Sequence, residues 1–119
     1  MRIASWNVNS IKARLDIVTG WLANDPCDVL LVQETKSQDM NFPVDAFQAM
    51  RWHVAFYGQK SYNGVAIASR FPIEDVVMGL DGDAKDEQAR YMEATINSFR
   101  VATIYLPNGN PAPGPKFDY

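Results

Sequence analysis

The run Asp28-Val29-Leu30-Leu31-Val32-Gln33 constrains the fold more than any other stretch of the chain. Four consecutive apolar residues leave no polar face, so the run reads as a strand covered on both sides, as in parallel sheets. An earlier run, Arg2-Ile3-Ala4-Ser5-Trp6, reads as a second strand and stops at Asn7-Val8-Asn9. Between them Ser10 is a predicted N-cap, followed by Ile11, Leu15, Val18 and Leu22 at helical spacing. Lys12, Arg14, Asp16 and Thr19 fall on the opposite, solvated face, and Asn24-Asp25-Pro26 ends the helix. Strand, helix, strand implies a crossover joining parallel strands. In open α/β sheets ligands collect at the strands' carboxyl ends. Asn7 stands at one such end and Gln33-Glu34 at the other, which suggests an oxygen-rich site suited to a hard divalent metal.

The remaining segments extend an α/β (α+β) reading. Residues 37–43 form a polar loop and 44–50 a short helix. Strands are expected over 52–57 and 64–69, joined by the polar loop 58–63. Segment 71–78 opens with Phe-Pro and reads as an edge or irregular strand. An acidic loop covers 79–88, and strands over 91–96 and 99–106 flank a turn at Asn97-Ser98. The turn-rich segment 108–115 leads to Lys116-Phe117-Asp118-Tyr119, whose aromatics resemble the start of a further element, so a truncated chain is expected.

At 119 residues, 47% hydrophobic and 21% charged, the chain has material for one cored domain and not for disorder. A net charge of −3 leaves no basic stripe for tight non-specific nucleic-acid binding. The single cysteine, Cys27, forbids an internal disulfide and fits a reducing cytoplasm. Met1 runs straight into the first strand, and no apolar run reaches membrane-spanning length, so a soluble cytoplasmic protein with no membrane partner is expected.

Spacing alone leaves Glu34 two roles: a Mg²⁺ ligand, or a solvated glutamate paired with Lys36. Asn7 likewise either caps the following helix or orients a nucleophile. Other signals fail. Asp39-Met40-Asn41 lacks a preceding apolar strand, and Asp81-Gly82-Asp83 begins like a calcium loop but has Lys85 at a ligand position. His53, the only histidine, sits within a strand and reads as structural.

The strings Ser5-Trp6-Asn7-Val8-Asn9-Ser10-Ile11-Lys12-Ala13-Arg14 and Leu31-Val32-Gln33-Glu34-Thr35-Lys36 carry a family resemblance. So do Gly58-Gln59-Lys60-Ser61-Tyr62-Asn63-Gly64-Val65-Ala66, Arg90-Tyr91-Met92-Glu93-Ala94 and Ile104-Tyr105-Leu106-Pro107-Asn108-Gly109. In order and spacing they resemble the exonuclease III (apurinic/apyrimidinic endonuclease) branch of the endonuclease/exonuclease/phosphatase superfamily.

That resemblance implies a deoxyribonuclease I-like two-sheet α/β sandwich, of which residues 1–119 are the N-terminal part of a single domain. It implies Mg²⁺-dependent cleavage (Mn²⁺ as a substitute) 5′ to abasic sites in duplex DNA. It also implies 3′-to-5′ exonuclease and 3′-phosphatase activity at 3′ ends. Glu34 matches the metal-binding glutamate, Asn7 the asparagine supporting the nucleophile network, and Tyr105 the tyrosine approaching the scissile phosphate. Tyr62, Arg90 and Asn108 match positions that contact the DNA backbone, for which hydroxyl, guanidinium and amide donors are suited. The alternatives to these roles are a core position for Tyr105, a hairpin-filling one for Tyr62, and surface pairing of Arg90 with Glu87 or Glu93; the ordered match of the motifs favours the roles over them. Asn9 stands where relatives carry an aspartate that assists the metal.

The family's later Asp-x-Asn pair and terminal Ser-Asp-His have no counterpart here, so the chain alone is expected to be inactive. The second sheet covering the first is expected to be missing too. Two alternatives stay open at this point: a superfamily phosphatase acting on small or lipid phosphates, and a non-catalytic fragment that binds or self-associates through an uncovered sheet face.

Overall fold

The computed structural model describes residues 1–24, 26–38, 41–58, 63–78 and 91–104. The expected strand–helix–strand unit is present: β1 (Ile3–Asn7), α1 (Leu15–Leu22) and β2 (Val29–Gln33). β1 and β2 are parallel neighbours, with Asn7 opposite Gln33. After α2 (Val44–Ala49) come β3 (His53–Tyr57) and β4 (Val65–Ser69), an antiparallel pair. β4 also runs antiparallel to β2, so the first sheet has the order β1-β2-β4-β3.

A second sheet stands against the first. β5 (Glu74–Met78), β6 (Tyr91–Ile96) and β7 (Phe99–Ile104) form it in that order, all antiparallel. This corrects the expectation that the covering sheet would be missing. The apolar alternation of Met92, Ala94 and Ile96 marks a half-buried strand, and those side chains pack on Val29, Val65 and Ile67 of the first sheet. β5 lies on an edge and carries an irregular register between Glu74 and Val77, as its Phe-Pro opening suggested. The turn between β6 and β7 has left-handed backbone at Asn97 (φ 49°) and Ser98 (φ 70°), the conformation a two-residue hairpin requires.

The first sheet therefore has two cores, one per face. Leu30, Val32, Ala66 and Ala68 face the helical side and meet Ile11, Val18, Leu22 and Phe47. Val29, Val65 and Ile67 point into the sandwich. This division explains why β2 is apolar at every position from Val29 to Val32: alternate residues serve different cores. The helix starts later than the sequence suggested. Ser10 Oγ accepts a hydrogen bond from the Ala13 amide at 3.2 Å, but residues 11–14 form turns and α1 begins at Leu15 with Arg14 as its N-cap. Ile11, Val18 and Leu22 are nonetheless buried.

At the amino end of β2, Asp28 holds three strands together. Its Oδ2 accepts the Arg2 amide at 2.8 Å, and its Oδ1 lies 3.8 Å from Arg70 Nε. Arg70 in turn lies over the Trp52 ring, 5.5 Å from its centroid. Among the described residues no helix is long and apolar enough to cross a membrane.

Candidate functional site

The rim at the carboxyl ends of β1 and β2 is assembled from three chain segments. Val8 N–H donates to Gln33 O at 3.0 Å, Ser10 N–H to Glu34 O at 2.8 Å, and Ile11 N–H to Thr35 O at 2.9 Å. The segment entering β4 joins from the other side: Thr35 N–H donates to Gly64 O at 3.1 Å and Lys36 N–H to Asn63 O at 2.9 Å. Backbone pairing thus continues past the strands and ties the exits of β1 and β2 to the entry of β4.

This continuation needs unusual backbone. Asn9, Ser10, Glu34, Lys36 and Asn63 are left-handed, at φ 48°, 91°, 56°, 52° and 57°, and Gly64 is at 96°. Side chains other than glycine adopt this region at a cost of order 1 kcal/mol or more each, and such residues cluster at functional sites. Gly64 has a second reason to be glycine. A Cβ there would lie 2.0 Å from Thr35 Oγ1 and 3.3 Å from the Lys36 nitrogen.

Asn7 and Glu34 are brought to this common rim, one at the end of β1 and the other one residue past the end of β2. Asn7 is exposed and Glu34 half-buried. The Asn7 side chain caps neither α1 nor its turn; Oδ1 accepts the Asn9 amide at 3.2 Å, fixing the bend that leaves the strand. Lys36 does not pair with Glu34 either. Its Nζ donates to Asn9 Oδ1 at 2.5 Å, so the amide at Asn9 bridges the two loops.

Asn7 and Glu34 offer one carboxylate and one amide. Among the described residues no group of three or more His, Cys, Asp or Glu side chains forms a metal cage. Such a sparse oxygen set suits Mg²⁺, which keeps several waters and takes one or two carboxylates from the protein. Tyr62, Arg90, Tyr105 and Asn108 lie outside the described residues, as do Asp39 and the 81–83 string. His53 opens β3 and is exposed, far from the role of a core histidine.

Gln33, which the sequence places at the strand end with no role of its own, is a polar junction in the structure. Its Nε2 donates to Ser5 Oγ at 3.0 Å and to Thr103 Oγ1 at 2.9 Å, with Leu31 O at 3.3 Å. A glutamine closing an otherwise apolar strand was the available signal, since half-buried amides require partners.

The endonuclease/exonuclease/phosphatase family model matches residues 4–118, nearly the whole chain. The chain belongs to the endonuclease/exonuclease/phosphatase family. Among this family's members it is 29% identical over 113 residues to an exodeoxyribonuclease of Bacillus subtilis, covering 91% of this chain and 43% of that protein. Among solved structures it resembles the 3′ phosphatase NExo from Neisseria bound to product DNA hairpin, with a TM-score of 0.93 and 45% identity. An AP endonuclease from Archaeoglobus fulgidus matches with a TM-score of 0.91 and 44% identity. Both structural matches cover 100% of this chain and 46% of the other. The chain thus spans about half the length of these relatives. The fold is the two-sheet α/β sandwich of the deoxyribonuclease I type that these family members share.

Proposed function

We propose that residues 1–119 are the N-terminal part of a single phosphodiesterase domain, whose intact parent is a Mg²⁺-dependent DNA-repair nuclease. In this reading the parent is an exodeoxyribonuclease III-like cytoplasmic enzyme. It incises duplex DNA at abasic sites and trims or dephosphorylates 3′ ends. The observation that carries the reading is the shared rim of Asn7 and Glu34, built from left-handed backbone in a chain of this family.

Glu34 holds the divalent cation, and Asn7 supports it through an amide already oriented by its bond to Asn9. When bound, the metal supplies charge neutralisation at a phosphate oxygen and favours ionisation of water. Tyr105 serves as the active-site hydroxyl, while Tyr62, Arg90 and Asn108 donate to phosphate oxygens of the duplex. The water-activating Asp-x-Asn and the Ser-Asp-His of the family are not supplied by residues 1–119. The chain alone is therefore catalytically inactive, because a missing general base or charge-stabilising donor each costs orders of magnitude in rate.

The test is incubation of residues 1–119 with an abasic duplex and Mg²⁺. No incision above background is expected. Incision at a rate comparable with a full-length relative would contradict the proposed division of labour, and preferential turnover of inositol phosphates would contradict the DNA assignment.

A second reading has one observation in its favour. Ile3 is 48% exposed on edge strand β1, and Phe99 and Ile104 are 59% and 41% exposed on edge strand β7. Such apolar edges are competent for pairing with a second copy. Sedimentation tests this: a dimer supports self-association of the fragment, and a monomer at high concentration removes it.

A further inference from the structure

Gln33 meets three acceptors at the end of β2: Ser5 Oγ on β1, the Leu31 carbonyl of its own strand, and Thr103 Oγ1 on β7. The Leu31 carbonyl can only accept. Thr103 has one hydroxyl proton, and it points to the Val32 carbonyl at 3.3 Å. Towards Gln33, therefore, Thr103 also accepts. A carboxamide brings two N–H donors on one atom, which serve the two shorter contacts, Thr103 Oγ1 and Ser5 Oγ, with the longer Leu31 carbonyl sharing one of them; a carboxylate brings none. Thr103 is 1% exposed, so its hydroxyl is a committed interior group and not a surface contact. Gln33 is also anchored through its backbone, since its carbonyl accepts the Val8 amide at 3.0 Å.

We propose that Gln33 is a positioning residue for Glu34: its carboxamide clamps the end of β2 to β1 and to the second sheet, and so fixes where the following carboxylate stands. Glu34 begins a left-handed backbone step at φ 56°, and a step of that kind holds its direction only if the peptide before it is immobile. Gln33 supplies that immobility from both flanks. Thr103 extends the clamp across the sandwich, because it joins β7 to both Gln33 and the Val32 carbonyl. The inference rests on the reading of Glu34 as a metal ligand. Side chains one step behind a ligand typically control metal affinity by ten- to a hundredfold when removed.

The probe is Mn²⁺ alone, titrated into the 119-residue chain, with paramagnetic broadening of the Asn7 and Glu34 amide signals as the readout. Gln33→Met keeps the side chain's length and removes both donors, and is expected to weaken Mn²⁺ binding about tenfold. Thr103→Val is expected to do the same and Thr103→Ser to restore binding. The double variant Gln33→Met/Thr103→Val is expected to lose no more than either single change, because the two belong to one clamp. A merely structural role would lower the melting temperature and leave Mn²⁺ affinity of the folded fraction unchanged. Parent-like affinity in both Gln33→Met and Thr103→Val overturns the inference. Should Gln33→Met fail to fold, Thr103→Val and its serine counterpart decide the matter by themselves. Glu34→Ala run in parallel separates the two levels: if it abolishes binding while the clamp variants do not, only the positioning role falls. If Glu34→Ala leaves Mn²⁺ binding intact, or the parent chain shows no broadening, the metal reading falls and the inference with it.

Discussion

Gly64 and Thr35 meet so closely that neither position can be enlarged, and the contact sits between Glu34 and Lys36 at the rim. Thr35 is 1% exposed, and its hydroxyl has no hydrogen-bond partner among the described residues. The backbone of Thr35 is held by its bonds to Gly64 and Ile11, while its side chain is held by the close packing around it. Gly64→Ala adds a methyl 2.0 Å from that hydroxyl and forces alanine into a φ of 96°. It is expected to destabilise the fold by about 2–3 kcal/mol, from overpacking and left-handed strain together. Urea unfolding measures this, and a loss under about 0.5 kcal/mol, the range of an ordinary surface change, would show that the rim accommodates the methyl. The sequence placed Asn7 and Glu34 at strand ends, but the partners of their neighbours were not legible. Lys36 bonds to Asn9 and Gln33 to Thr103, and contacts between residues so distant in sequence leave no periodic trace.

The elements were legible where one physical rule acted alone. β2 declared itself by an unbroken apolar run, and the β6–β7 hairpin by alternation around Asn97-Ser98. α1 was read from its buried stripe, yet its first turn was misjudged. Ser10 is left-handed at φ 91° and answers to the rim's backbone pairing, so the regular helix begins only at Leu15. At the far end of the first sheet, Asp28 links β1, β2 and β4, and the Arg2 amide, with the nearby Arg2 and Arg70 charges, holds its carboxyl below the usual 3.8. A folded-state pKa that is lowered contributes stability at pH above the unfolded value, and that contribution is lost as pH falls through the folded one. Asp28→Asn is therefore expected to destabilise at neutral pH, with the difference from the parent shrinking as pH drops below the ordinary carboxylate range. Urea midpoints of both proteins across the acid limb check this. A difference that persists unchanged into strong acid would assign the effect to packing and not to charge. Beside it, burial pushes the Cys27 thiol up, ahead of the repulsion from Asp28, which makes it a poor nucleophile.

For the molecule as a whole, the expectation that the covering sheet would be missing along with the family's later motifs does not hold. Residues 1–119 hold strands of both sheets, and β4 and β2 are already covered on each face. The edges β1 and β7 keep apolar side chains in solvent, as Ile3 and Ile104 do. The described residues therefore carry a cored sandwich that brings Asn7 and Glu34 to one rim. Metal binding and turnover should separate in such a molecule. The most direct measurement is the melting temperature of residues 1–119 with and without Mg²⁺, repeated for Glu34→Ala. Ligand binding to the folded state alone raises stability by an amount set by concentration over affinity. The account predicts a Mg²⁺-dependent rise that Glu34→Ala abolishes; an equal rise in parent and variant, or none in the parent, would contradict it.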